Sequence, residues 1–117
     1  KTKQFGFILD NNGKKIACCG DEPLQETLFD RLRGCSWLMH EAFCLYSERD
    51  IFKPYQKFHS TVKDACENAE LLGVENLILY HTEDTHLSNR KELYISEGKQ
   101  YYNGSIYVPD DGEKLTL

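Results

Sequence analysis

The sequence predicts an α/β domain with a mixed β-sheet and flanking helices, and three observations carry that expectation. Short apolar runs at Ile16 to Cys19, Ser36 to Met39 and Leu77 to Tyr80 each stop abruptly at polar residues, as strands buried on both faces do. Segments with apolar residues at helical spacing lie between those runs, giving strand, helix, strand, helix, strand. Asn12-Gly13 sits between two strand-like stretches, which is the strongest short-range signal for a hairpin.

In chain order, Gln4 to Leu9 and Lys14 to Cys19 read as the two hairpin strands, joined by a tight turn at Asp10 to Gly13. Pro23 to Arg33 follows with Leu24, Leu28, Phe29 and Leu32 at helical spacing, Pro at the start and Gly34 at the end. Cys35 to Met39 is a short buried strand. Glu41 to Phe58 is mixed, with Pro54 and several aromatics, and reads as a loop carrying one short helix. A connection that long inside a compact domain is usually functional. Ser60 or Thr61 caps a helix to Leu72, with Val62, Ala65, Cys66, Ala69 and Leu72 as its apolar stripe and Gly73 closing it. The strand to Tyr80 comes next, then a helix from Leu87 to Tyr102 and two short strands at Ser105 to Val108 and Lys114 to Leu117.

Composition bounds the function. At 117 residues, 40% hydrophobic and 28% charged, the chain is one ordinary globular domain or part of one. It opens at Lys1 and runs almost at once into strand-like sequence, so it is expected to belong to something longer. No apolar run approaches the ~20 residues of a membrane span, and the expected setting is the cytoplasm. Five cysteines without a C-x-x-C spacing indicate reduced core residues rather than a disulfide framework or zinc ribbon. The net charge of -5 gives no general attraction to nucleic acid, and Lys14-Lys15, Arg31 with Arg33, and Arg90-Lys91 read as small solvated charge groups.

The chemistry-bearing residues stand at the ends of the predicted strands. In open α/β sheets ligands bind outside the carboxyl ends of strands, where rigid backbone holds side chains against a crevice. Asp21 follows the first run, His40 and Glu41 the second, and His81 the third. His59 lies immediately before a helix start, where free N–H groups favour anions. A lone His at a strand end is by itself more often structural than a ligand. No two histidines show the close spacing of a zinc site, so any metal centre would be assembled at long range.

Taken together, Gly20-Asp21, Leu38-Met39-His40-Glu41-Ala42-Phe43, His59-Ser60-Thr61 and Gly73-Val74 to Leu79-Tyr80-His81 resemble the C-terminal half of metallo-β-lactamase-fold hydrolases, specifically the ribonuclease Z branch. The resemblance runs from about Gln4 to Leu117. It implies half of an αββα sandwich and a site of two zinc ions, with manganese or iron also suited to Asp and His ligands. It further implies that Asp21 bridges the metals and His81 is the last His ligand. His40 and Glu41, and Ser60 and Thr61, are implied to hold the scissile phosphate, with His59 protonating the leaving oxygen.

Glu22 and Phe43 stand where the family's motifs have Thr. The family's H-x-H-x-D-H motif is absent, and the missing N-terminal half that carries it is the first expected partner. Precursor transfer RNA is the substrate that the resemblance implies. A small phosphodiester or another ester is the alternative that the two departures and the acidic charge suggest. A third reading is a non-catalytic half-fold that forms a homodimer or binds a partner through its open sheet face.

Overall fold

The structure is a computed structural model that describes residues 7–11, 13–18, 32–57, 59–80, 82–83, 88–110 and 113. Its centre is a five-stranded sheet whose strand order follows the chain: β1 (Phe7–Asn11), β2 (Lys14–Cys18), β3 (Trp37–Glu41), β4 (Asn76–Tyr80) and β5 (Ser105–Tyr107). β1 and β2 form the expected antiparallel hairpin, with Asn11 opposite Lys14. Gly13 closes the two-residue turn with φ 85°, a backbone state that glycine adopts without a Cβ clash. From β2 onward every neighbouring pair is parallel, so the sheet is mixed as expected.

β3 is displaced from its expected position. The strand spans Trp37–Glu41 rather than Cys35 to Met39, so His40 and Glu41 are strand residues, not an exit loop. The cause is pairing with β4: His40 lies opposite Leu79 and Glu41 opposite Tyr80. Ladder hydrogen bonds carry the strand two residues past its apolar run.

Helix α2 (Val62–Leu72) packs over one sheet face with the anticipated stripe: Val62, Ala65, Cys66, Ala69 and Leu72 are all buried. Thr61 is its N-cap in a reciprocal capping box with Asp64, and Gly73 closes it at φ 69°. Helix α3 (Arg90–Gly98) covers the same face and is shorter than the expected Leu87 to Tyr102. Its last turn loosens because the N–H groups of Tyr101 and Tyr102 both return to the Gly98 carbonyl. These helices, with Ala17, Leu38, Leu77, Leu79 and Ile106 of the sheet, enclose the core.

The Glu41 to Phe58 connection holds more local order than a loop with one short helix. It contains a 3-10 turn at Tyr46–Glu48, helix α1 (Arg49–Phe52) and a second 3-10 turn at Pro54–Lys57. Glu97 of α3 anchors its start, accepting from the N–H groups of Tyr46 at 2.6 Å and Ser47 at 3.2 Å. Cys35, Cys44 and Cys66 are free and buried, and Cys18 is free and half-buried, as reduced core cysteines should be. Arg90 departs from the expected solvated group. Its guanidinium is largely buried, donating to Thr82, the Pro109 carbonyl and Asp110. The expected helix at Pro23 to Arg33 and the last strand at Lys114 to Leu117 fall almost entirely outside the described residues, although Leu32 contributes to the core.

Candidate active site

Parallel registration brings the carboxyl ends of three strands to one edge of the sheet, where β2 ends at Cys18, β3 at Glu41 and β4 at Tyr80. Beyond β3 the chain stays zipped between its neighbours. Ala42 N–H donates to the Tyr80 carbonyl, Phe43 N–H to the Ser60 carbonyl, and Val62 N–H to the Cys44 carbonyl. The segment Phe43-Cys44 therefore docks against Ser60 to Val62, and that docking carries His59 to the end of β3.

Glu41 is the centre of the site. Its side chain is fully buried, and a buried carboxylate is tolerated only where donors satisfy it. Both oxygens are satisfied: His59 Nδ1 donates to Oε1, and the Ser60 N–H donates to Oε2 at 3.0 Å. His59 remains 22% exposed, so the pair has one member sealed and one at the surface. Phe43 stacks on the imidazole, with ring centroids 4.6 Å apart and planes 20° apart, and meets Phe52 edge-on at 6.4 Å. Two contacts thus fix the imidazole ring, the Glu41 carboxylate at Nδ1 and the Phe43 ring on one face.

His40 is placed differently. Successive residues of a strand point to opposite faces, so His40 and Glu41 cannot both face one site. His40 turns into the helix layer and is fully buried. The Glu41 carbonyl only accepts, so His40 Nδ1 donates to it at 2.7 Å; Nε2 then accepts from the Asn68 amide at 3.1 Å. Burial pushes its pKa below the usual 6.5, against the smaller opposing pull of the Glu41 carbonyl and Asp64. The ring is a neutral strut between α2 and the backbone of Glu41.

Ser60 and Thr61 are buried beside the pair, and their backbone donors are already engaged. The Ser60 N–H goes to Glu41, and the Thr61 N–H to Asp64 Oδ2 at 2.9 Å. The Thr61 hydroxyl also meets Asp64 and lies 3.3 Å from the Tyr55 hydroxyl. The structure therefore brings Glu41, His59, Ser60 and Thr61 together and sends His40 to the opposite face. Asp21 and His81 lie outside the described residues. Sequence reasoning did not single out Asn68 or Tyr55. A polar Asn between the buried Cys66 and Ala69 was the available signal for the first.

Ribonuclease Z of Prochlorococcus marinus (strain MIT 9313) is 37% identical to the chain over 102 residues, 87% of this chain and 27% of that protein. Ribonuclease Z of Thermococcus sibiricus is 30% identical over 105 residues, 90% of this chain and 32% of that protein. The chain is homologous to ribonuclease Z. It spans about a third of the length of these curated relatives. No protein-family model matches it. The metallo-β-lactamase fold protein YhfI from Bacillus subtilis superposes with a TM-score of 0.73 at 15% identity, covering 92% of this chain and 42% of that one. Human tRNase Z, short form, gives 0.66 at 19%, covering 99% and 44%. These likenesses show the metallo-β-lactamase fold, of which the present sheet and helices are a part.

That fold implies metal ions. Among the described residues of this ribonuclease Z homologue, no group of three or more His, Cys, Asp or Glu side chains could hold one. His40 is excluded as a donor by its two internal hydrogen bonds. The described residues by themselves do not fit a metal centre.

Proposed function

We propose that this chain is the C-terminal part of a metal-dependent hydrolase that cleaves phosphodiesters, with precursor transfer RNA cut at its 3′ side as the substrate. The observation that carries the reading is the Glu41–His59 pair, a sealed carboxylate orienting a partly exposed imidazole at the carboxyl ends of the parallel strands. With Nδ1 donated to Glu41, Nε2 is the ring atom through which His59 exchanges a proton with substrate. Hydrolysis of a phosphodiester needs the departing oxygen protonated, and His is suited to that transfer near neutral pH. Glu41 holds the ring in one orientation and tautomer and balances the positive charge of the imidazolium.

In this reading a phosphate is held by His59 rather than by the Ser60 and Thr61 amides, whose donors serve Glu41 and Asp64. Asp21 and His81 would supply two metal donors. A zinc site takes three or four protein ligands, so the others would come from residues outside this chain, in the half that carries the H-x-H-x-D-H motif. The metal would activate the attacking water and stabilise charge on the phosphate.

A second reading, hydrolysis of a small phosphodiester, is favoured by Phe43. Its ring occupies one face of His59, where the family's motif has Thr. Turnover of precursor transfer RNA and of a chromogenic phosphodiester by the complete protein, measured side by side, separates the two. Cleavage of the RNA supports the ribonuclease reading; turnover of the small ester alone refutes it.

A further inference from the structure

The connection between β3 and α2 forms one wall of a cleft of about 430 Å³, and the first turns of α2 form the other. Its lining includes Tyr46, Arg49, Lys53, Tyr55 and Lys63. We propose that this cleft is a subsite for a nucleotide of single-stranded RNA adjoining the phosphate at His59, with a base stacked on Tyr55 and a phosphate met by Arg49 and Lys63. The inference rests on the RNA-cleaving reading above and adds to it where the strand runs beyond the cut.

Two of the lining cations are held against an aromatic face. The Arg49 guanidinium lies 3.9 Å from the centroid of the Tyr46 ring, with Nη1 donating to the Tyr46 carbonyl at 2.9 Å. The Lys63 ammonium lies 4.3 Å from the same centroid and 5.6 Å from that of Tyr101. Among the described residues neither is within ion-pair distance of a carboxylate. An aromatic ring fixes a cation without neutralising it, so both charges remain available to an anion while their side chains are already ordered. Of the three acids on the lining, Asp64 is engaged by Thr61, and Asp50 and Glu67 are exposed. The balance is near zero overall, which suits one phosphate and excludes a polyanion groove.

Tyr55 supplies the stacking surface. Its side chain is 49% exposed, yet the hydroxyl end is tied to Thr61, so the ring is presented in a fixed place. A pre-ordered, half-exposed ring is what base stacking requires, and it accepts any base. Lys53, at the rim, is the one described non-glycine residue with positive φ, 51°. That state is the left-handed C-cap that ends α1, with the Lys53 N–H donating to the Arg49 carbonyl at 3.0 Å.

The cleft is tied to the candidate active site through the backbone. The His59 N–H donates to the Pro54 carbonyl at 2.9 Å, and Tyr55 and Asp64 both contact Thr61. The cleft wall is thus hydrogen-bonded to the segment that carries His59.

The test is fluorescence anisotropy of a labelled six-residue oligouridylate with the complete protein, at 50 and 200 mM salt. Tyr55→Ala weakens binding roughly tenfold, and Tyr55→Phe, which keeps the ring and loses only the tether to Thr61, weakens it about threefold. Arg49→Gln with Lys63→Gln lowers the slope of log affinity against log salt by about 1, as expected when one to two phosphate contacts are lost. Equal weakening by Tyr55→Ala and Tyr55→Phe assigns the effect to loop support and overturns the proposal, as does an unchanged salt slope. If the protein cleaves RNA yet the cleft variants bind as wild type, only the subsite falls. If it cleaves no RNA, the ribonuclease reading falls first.

Discussion

Replacing Glu41 by Gln tests the paired side chains most sharply, because the change conserves size and removes only charge and one acceptor. In the native site two donors, His59 Nδ1–H and the Ser60 N–H, face the two carboxylate oxygens. A carboxamide can accept only one of them and turns its own N–H2 toward the other. With the Ser60 N–H kept on the amide oxygen, the N–H2 faces Nδ1; the neutral ring is driven to the tautomer with its proton on Nε2, and the protonated ring would oppose donor to donor at a cost of about 1–3 kcal/mol. The imidazole also loses the anion that balances its positive form, and general acid catalysis of this kind is worth on the order of 10²–10⁴ in rate. Glu41→Gln and His59→Ala should therefore each slow the complete enzyme by that order. The double variant should be within about threefold of His59→Ala alone, since Glu41 acts through the ring. Single-turnover rates for all three, with urea unfolding to confirm that each is folded, decide the matter. Losses that multiply in the double variant would refute the reasoning, because Glu41 would then act independently of His59.

Three further outcomes follow from the packing. His40 is buried neutral with its pKa below 6.5, so the unfolded chain binds more protons; the stability this group contributes is present above about pH 6.5 and is lost as pH falls below it. Urea midpoints at pH 7.5 and 5.5 should fall with acid in wild type and less in His40→Gln; equal pH dependence in both would exclude His40 as the source. Gly98→Ala would put a Cβ 2.8 Å from both Cys66 Sγ and Ile106 Cδ1 at the α2–α3 contact. The overpacking outweighs the helix propensity gained, for a net loss of about 1 kcal/mol in urea unfolding, and a gain in stability would contradict it. Glu97→Ala removes the carboxylate that accepts from Tyr46 and Ser47. It should cost about 1 kcal/mol and speed hydrogen exchange at those two amides while the amides of β4 stay protected; unchanged exchange would show the anchor to be idle.

Much of this was legible in the sequence because the signals were local. The Asn12-Gly13 hairpin, the Thr61 cap and the α2 stripe each depend on residues within a turn or two of one another. The parallel alignment of Cys18, Glu41 and Tyr80 was legible in outline, since each apolar run ends in polar residues. What the sequence hid depends on partners far along the chain. Strand β3 runs on through His40-Glu41 because β4 pairs with it, and the strand's alternation then separates two neighbours that sequence reasoning had treated as one motif. The cleft was equally hidden: Tyr46, Arg49, Tyr55 and Lys63 are unremarkable where they stand, and only the folding of the connection onto α2 brings them together. Arg90 looked like a surface charge because Thr82 and Asp110, which hold it, lie on separate segments.

The proposed phosphodiesterase activity turns on His59 as the proton donor. The direct measurement is cleavage of a precursor transfer RNA by the complete protein beside its His59→Ala variant, resolved on a sequencing gel. The expected result is a single cut at the 3′ side of the transfer RNA, slowed at least a hundredfold in the variant. An intact substrate, or a variant that cuts as fast as wild type, would contradict it.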